Sequence, residues 1–159
     1  MTTFPYTFVD PIVDALRRNM NSEVLVEPRP LNPFDTNSVG VYPVTWAPVA
    51  DSELIGQVEP TLNNYLIQVA NVLIHGDDIE GRRLHGADCR SIRAILYRDD
   101  ALRVALGGLA EVLFGSVERV KKYNVTRQDF LASRLNVGFT YLCTTDMIIQ
   151  TETTPQGAP

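Results

Sequence analysis

The residues that come nearest to a chemical site in this 159-residue chain lie between positions 75 and 89. His75, Asp77, Asp78, His85 and Cys89 are all of types that bind metal ions, because imidazole, carboxylate and thiolate each donate an electron pair. Their spacing matches no known zinc pattern, and the two histidines of the chain cannot build a three-histidine site. We therefore interpret the segment as a turn followed by the start of a helix, whose acidic residues favour the helix dipole.

A catalytic thiol is the second chemistry to consider. Cys89 or Cys143 beside His85 or His75 would combine a nucleophile with a base. The two cysteines have no CxxC spacing, which indicates neither a disulfide framework nor a thiolate metal site. Cys143 also falls on the apolar face of a predicted strand, where a thiol is normally an inert, buried group. A small Cys-dependent or metal-dependent hydrolase stays an alternative function, and it requires His75, His85 and Cys89 to converge in a pocket.

Binding of nucleotides or nucleic acid has little support in the sequence. The glycines form neither GxGxxG nor GxxxxGK[ST], so no phosphate-binding loop is indicated. The basic residues of 118–127 would point to both sides of a strand, and the net charge of −5 disfavours a protein that coats DNA. We expect no cofactor and no direct nucleic-acid binding. A strongly salt-dependent affinity for DNA would favour a nucleic-acid-binding accessory protein instead.

Arginines on one predicted helix face are the better functional candidate. Guanidinium groups suit interfaces because they can bind a neighbour's carboxylates through two hydrogen bonds. Basic residues concentrate in 76–127, whereas the first half of the chain is acidic, so one surface of a subunit could meet a different surface of its neighbour. The predicted subunit interface comprises Arg82, Arg83, Arg90, Arg93, Asp51, Glu53 and Glu59.

Periodicity and capping residues predict the elements that would position these side chains. Asp10 and Pro11 are typical of a helix start, and Asp99 is typical of an N-cap. On the second helix we expect Leu84, Ala87, Ile92, Ile95 and Leu96 to face the core. The predicted elements are a helix over 10–20, strands over 23–27, 39–45, 65–74, 118–126 and 135–150, a helical region after 78, and a helix from 99 to 106.

Composition and element order predict a single α+β domain. Hydrophobic residues make up 45% and charged residues 21% of the chain, as in folded soluble proteins. We expect a largely antiparallel or mixed sheet with helices packed on one face, over residues 1–152. The proline-rich segment 28–48 is predicted to be mostly extended loop or edge strand, and 153–159 a flexible tail. No signal peptide or membrane span is recognisable, so synthesis in the cytoplasm is expected.

Four segments carry a resemblance to a known family. They are Glu59-Pro60-Thr61 running into 65–72, Arg93 to Asp99, Arg127 to Leu131, and Val137 to Leu142. Together they resemble the tail terminator proteins of long-tailed, siphovirus-type mycobacteriophages and of phages of related hosts. The resemblance covers roughly residues 8–152.

The resemblance implies a non-enzymatic virion protein that forms a homohexameric ring on the head-proximal end of the tail tube. Such a ring stops tube polymerisation and provides the surface that joins the head. Its partners would be further copies of itself, the major tail tube protein and the head-tail connector or stopper, with DNA passing through the lumen. We expect the 28–48 segment and the C-terminal tail to make the axial contacts. A head-tail connector or head-closure subunit of the neck is the alternative within the structural class.

Overall fold

In the described part of the chain, three helices pack on one face of a six-stranded mixed sheet, which is a single α+β domain, as the sequence predicts. The computed structural model describes residues 4–31, 36–49, 58–73, 78–120, 128–144 and 146–147. The described elements are a 3-10 turn Tyr6–Phe8, α1 Val9–Asn19, β1 Leu25–Glu27, β2 Ser38–Pro48, β3 Val58–Val72, α2 Asp78–Arg98, α3 Asp100–Ala105, β4 Glu111–Phe114, β5 Glu118–Val120 and β6 Phe130–Thr144.

The sheet is built around the long antiparallel pair of β3 and β6. These strands stay in register over all fifteen residues, from Val58 opposite Thr144 to Val72 opposite Phe130. The strand order is β1-β2-β3-β6-β4, with β5 also paired to β6. Only the pairing of β1 with β2 is parallel among the described strands. No described helix has the length and hydropathy of a membrane span.

The core lies between the helices and one face of this sheet. Odd-numbered residues of β3 and β6 point towards the helices, because successive side chains of a strand alternate between its faces. Tyr65 and Phe139 stack across the two strands with ring centroids 5.7 Å apart, and Phe8 packs edge-on against both. The stripe of α1 predicted from helical spacing is buried against them, with Ile12 and Leu16 fully covered.

Several strand bounds differ from the predictions. β6 begins at Phe130 rather than 135, and Thr144 is its last described strand residue. Of the rest of the predicted strand, 146–147 are not strand, and 145 and 148–150 lie outside the described residues. The residues before 135 were not predicted as strand, because Ser133, a polar residue, interrupts the apolar series on the inward face. β3 begins at Val58 rather than 65. β2, Ser38–Pro48, extends the predicted 39–45 strand within the segment predicted to be extended loop or edge strand. The strand β4 was not predicted, because four residues are too few to show a period.

The first half of α2 turns a different side inwards from the one predicted. Leu84, expected in the core, is 46% exposed, whereas His85 beside it is fully buried. Gly81, four residues before His85, lies on the same inward side, where a Cβ would come 2.2 Å from the Leu73 side chain. Further along the helix, Ile92 and Leu96 are buried as expected, while Ala87 and Ile95 are half-buried.

The predicted cap of α3 is confirmed at Asp99. Its carboxylate accepts a hydrogen bond from the Leu102 N–H at 2.9 Å, and it also binds the Arg18 guanidinium at 2.8 Å and the Asn19 amide at 3.0 Å. The bond from Leu102, followed by those from Arg18 and Asn19, lowers the pKa of the Asp99 carboxyl. This one side chain therefore both caps α3 and connects it to the end of α1.

Replacing Asp99 by alanine is expected to lower the free energy of unfolding by about 1 to 2 kcal/mol at neutral pH, mainly through loss of the cap. Because the folded pKa is depressed, this stabilisation is present above the unfolded-state pKa, about 3.9, and is lost as pH falls through the folded-state pKa. Urea unfolding at pH 7 and at pH 3 measures both effects. Asp100→Ala is the matched control, since Asp100 is exposed and pairs along its own helix with Arg103. Equal losses for both variants would contradict the capping role.

Candidate subunit interface and the buried His85 cluster

A chain of buried polar side chains connects α2 to the two central strands. His85 Nδ1 lies 2.6 Å from Asn71 Oδ1 on β3, and His85 Nε2 lies 2.7 Å from Ser133 Oγ on β6. Asn71 in turn donates through Nδ2 to Asp88 Oδ2 at 2.7 Å. None of His85, Asn71 and Ser133 is more than 3% exposed. We call these four residues the His85 cluster.

The cluster fixes the protonation of the imidazole. Asn71 uses its amide nitrogen on Asp88, so its oxygen is the acceptor facing His85 Nδ1, which must carry the proton. His85 Nε2 is then the acceptor for the Ser133 hydroxyl. Burial lowers the pKa of His85, with nearby Asp88 opposing and Arg82 reinforcing the shift. The histidine is therefore neutral in the folded protein, and each of its nitrogens has a partner.

The order of serine, histidine and asparagine resembles that of a nucleophile, a base and the group that orients the base. A substrate cannot reach it, because both His85 and Ser133 are buried. Cys89 Sγ lies 3.8 Å from His85 Nε2, and its burial raises the pKa of the thiol, which opposes thiolate formation. His75, the third residue that the hydrolase hypothesis needs, lies outside the described residues. The cluster is best explained as a polar connection inside the core.

The metal hypothesis gains nothing from this geometry. His75 and Asp77 lie outside the described residues, and His85 already uses both ring nitrogens within the protein. Within the part of the chain that is described, no three side chains of histidine, cysteine, aspartate or glutamate converge as metal ligands do.

The four predicted interface arginines all lie exposed on α2. Arg83 pairs with Glu80 at 2.9 Å along the helix. Arg93 differs from the others, since its guanidinium lies over the rings of Tyr97 and Phe114, 5.6 Å from each centroid. Arg82 and Arg90 form no ion pair with any residue that the structure describes. These two cations are thus the ones left available for a neighbouring molecule.

The predicted acidic partners are only partly described. Asp51 and Glu53 lie outside the described residues. Glu59 is half-buried at the start of β3, opposite Cys143 of β6. Among the described residues, no ion pair joins Glu59 to any of the four arginines. The proposed pairing of arginines with acids between copies therefore stays a prediction.

The face of the sheet opposite the helices is a surface that the sequence analysis missed. The described helices cover only the other face, so even-numbered residues of β3 and β6 remain partly exposed. The sequence does contain a signal for its apolar residues, since they stand at positions of alternating strands where polar residues are expected. The exposed large apolar residues on this open face are Val44, Leu62, Leu113 and Leu142, at 43 to 59% exposure.

A shallow groove of about 690 Å³ lies on the same open face. Its floor includes Gln68 of β3 and Arg134 of β6, and its rim includes Leu31 and Glu118. Gln68 Oε1 accepts a hydrogen bond from the Leu31 N–H at 2.8 Å, which holds the segment before β2 against the sheet. The groove is open to solvent and has neither a buried charge nor a histidine in its wall.

Fold and site together define a small α+β protein with helices on one side of its sheet, an exposed mixed apolar and polar face on the other, and a fully partnered polar cluster in its core. No protein-family model matches the chain, and no curated protein matches it. Among solved structures, a chain of the "Virion of native gene transfer agent (GTA) particle" is similar to it with a TM-score of 0.40 and 11% identity. The match covers 86% of this chain and 95% of that chain. A likeness of this size does not by itself carry a shared function.

Proposed function

We propose that the chain is a structural virion protein, the tail terminator of a long-tailed phage. In this role a homohexameric ring sits on the head-proximal end of the tail tube, stops its polymerisation and offers the surface to which the head is joined. The observation that carries the proposal is the open face of the sheet. It exposes several large apolar side chains on long, rigid strands, and such exposed patches mark interaction surfaces.

The His85 cluster supports a structural role over a catalytic one. An active site needs a cavity that admits substrate next to polar groups left available for chemistry. In this domain the strongest chemical constellation is buried and spends its hydrogen-bonding capacity internally. Assembly, in contrast, needs only surfaces that fit a neighbour, and three such contacts are proposed, one lateral and two axial. The arginine face of α2 and the acidic residues Asp51, Glu53 and Glu59 form the lateral contact, while residues 28–48 and the C-terminal tail form the axial contacts.

The test is the length of tails made by the source phage without this gene, measured by negative-stain electron microscopy. We expect overlong tubes beside filled, unjoined heads, because nothing would stop polymerisation. Tails of normal length lying free would instead assign the protein to the head side, as a connector. Infectious particles of normal form would overturn both structural roles.

Reversing Arg82 and Arg90 to glutamate is expected to weaken the ring at least about tenfold while leaving the subunit folded, because placing like charges across an interface costs several kcal/mol. Light scattering after size exclusion measures the mass, and circular dichroism measures the fold. Arg93 is left unchanged, since its reversal would also lose the contacts with Tyr97 and Phe114. Arg103→Glu on α3 is the control for added negative charge. Normal rings from the double variant would contradict the lateral assignment.

A further inference from the structure

Within the described part of the chain, one edge of the sheet has no partner strand near the end of β6. On one side β6 pairs with β3 over its whole length. On the other side it pairs with β5 over 130–132 and with β4 over 135–138. Residues 139–144 therefore have a strand neighbour on one side only, among the residues described.

The backbone groups on that side can be identified from the hydrogen-bond pattern. Gly115 N donates to Arg134 O, so even-numbered residues of β6 direct their N–H and C=O groups away from β3. Beyond β4 these are Thr140, Leu142 and Thr144, and all three side chains are exposed. No backbone hydrogen bond from another described segment reaches them on this side. We call residues 139–144 the β6 edge.

At two of the other described edges, side chains bond the backbone groups to which an added strand would bind. On β1, the outward Val26 C=O accepts two hydrogen bonds from the Arg17 guanidinium. On β4, the outward Val112 N–H is bonded to the Tyr97 hydroxyl at 3.1 Å. Side-chain caps of this kind remove the groups that an incoming strand would bind.

The remaining edges are protected by residue type. β2 beyond its pairing with β1 contains Pro43 and Pro48, which have no N–H to offer. β5 carries the charged residues Glu118 and Arg119. The β6 edge has no proline, no charge and no side-chain cap from the described residues. Its threonines also favour strand structure. This contrast is what we would expect if the β6 edge is covered in the assembled state.

We propose that the β6 edge receives residues 148–154 from a second copy of this chain as an added strand. The inference rests on the proposed self-assembly. The segment Ile148-Ile149-Gln150-Thr151-Glu152-Thr153-Thr154 has five β-branched residues in seven and ends before Pro155. Fully extended it spans about 23 Å, enough to pair with the whole six-residue edge. Its main-chain groups would provide the hydrogen bonds that the edge lacks.

The position at which the described chain ends favours a second copy over the same one. After Thr144 the chain turns, with Met147 N–H donating to Thr144 Oγ1. Met147 then packs against the core, which lies on the helix-covered face. The chain thus runs from its own β6 edge towards the helix-covered face. If each copy gives one strand and receives one, the contact is head-to-tail, as a closed ring requires.

The test is chemical cross-linking between the β6 edge of one copy and residues 148–154 of another. Full-length Thr140→Cys and Thr151→Cys proteins are mixed and treated with a short thiol-specific cross-linker, which tolerates a shift of one residue in register. We expect a cross-linked dimer in the mixture. Ser91→Cys, on the exposed side of α2, replaces Thr140→Cys in the control mixture and should give little dimer. The unsubstituted chain controls for Cys89 and Cys143, which are buried.

Cross-linking and mass distinguish failure of the strand exchange from failure of the ring. The wild-type protein could have the mass of a ring while the Thr140→Cys and Thr151→Cys mixture gives no more dimer than the Ser91→Cys control. That result would overturn the strand exchange but not the ring. Cross-linking found only within a single chain carrying both substitutions also overturns the exchange, because the segment would then cover its own edge. If the mixture of variants gives a specific cross-linked dimer but the wild-type protein never forms rings, the strand exchange is supported and the proposed terminator ring is overturned.

Discussion

Replacement of His85 by leucine is expected to lower the free energy of unfolding by about 3 kcal/mol or more. Leucine fills similar space but leaves Asn71 Oδ1 and the Ser133 hydroxyl buried without their partner. Each buried polar group that loses its hydrogen bond costs about 1 to 3 kcal/mol. Urea unfolding monitored by circular dichroism at pH 8 gives the difference. Leu84→Ala, one residue earlier on the exposed side of α2, should change stability by only about 0.5 kcal/mol.

The same variant should also lose a dependence of stability on pH. Burial lowers the pKa of folded His85 below that of the unfolded chain, so its stabilisation is fully present above the unfolded-state pKa of about 6.5. That stabilisation is lost as pH falls towards the folded-state pKa, because the unfolded chain takes up the proton more readily. Wild-type unfolding midpoints should therefore decline between pH 7 and pH 5, and the His85→Leu protein should show a smaller decline. Parallel curves would mean that the imidazole is not buried as a neutral group.

Replacement of Gly40 by valine is expected to cost about 1 to 3 kcal/mol and to displace the segment that precedes β2. A Cβ at this position would lie 2.5 Å from the Arg29 carbonyl oxygen and 2.8 Å from Leu31 Cγ. The first of these is a backbone atom, and the hydrogen bond between Leu31 N–H and Gln68 keeps the segment close to the sheet. Overpacking a fixed contact of this kind forces a backbone shift.

Gly108→Ala is the matched control for this substitution, because nothing lies within 4 Å of a Cβ there. It should leave the unfolding midpoint nearly unchanged. If Gly40→Val lowers stability and also prevents tail completion in the phage, the segment before β2 belongs to an axial contact, as proposed. A fully stable Gly40→Val protein would contradict the close packing of Arg29 and Leu31 on β2.

Local sequence patterns predicted most of the element types. Helical spacing and Asp10-Pro11 indicated the α1 helix, although it begins at Val9 with Phe8 as N-cap residue and no side-chain cap. Asp99 indicated the cap of α3. The period of two in 135–144 indicated β6, since a strand with one buried face must alternate. Burial of Cys143 was also predicted and is confirmed. These features depend on neighbours along the chain, so a single sequence contains their signal.

The face of α2 and the role of His85 depend on long-range contacts. The sequence pattern placed Leu84 inwards and left His85 as a ligand or base candidate, yet in the structure Leu84 is exposed and His85 is buried. His85 then meets Asn71 and Ser133, fourteen and forty-eight residues away. No local pattern carries the identity of partners at such separations.

The surfaces available for assembly also follow from packing between distant segments. Whether Leu142 lies against a helix or remains exposed depends on which face of the sheet the helices cover. Likewise, among the described residues the β6 edge has no strand partner beyond Gly138, where β4 ends its pairing, and other edges are capped by side chains such as Tyr97 from a different element. The order of residues along the chain was enough to specify an α+β domain of helices and alternating strands. The choice of buried face and unpaired edge was made by contacts distant in the chain, because burial and strand pairing are properties of the packed molecule.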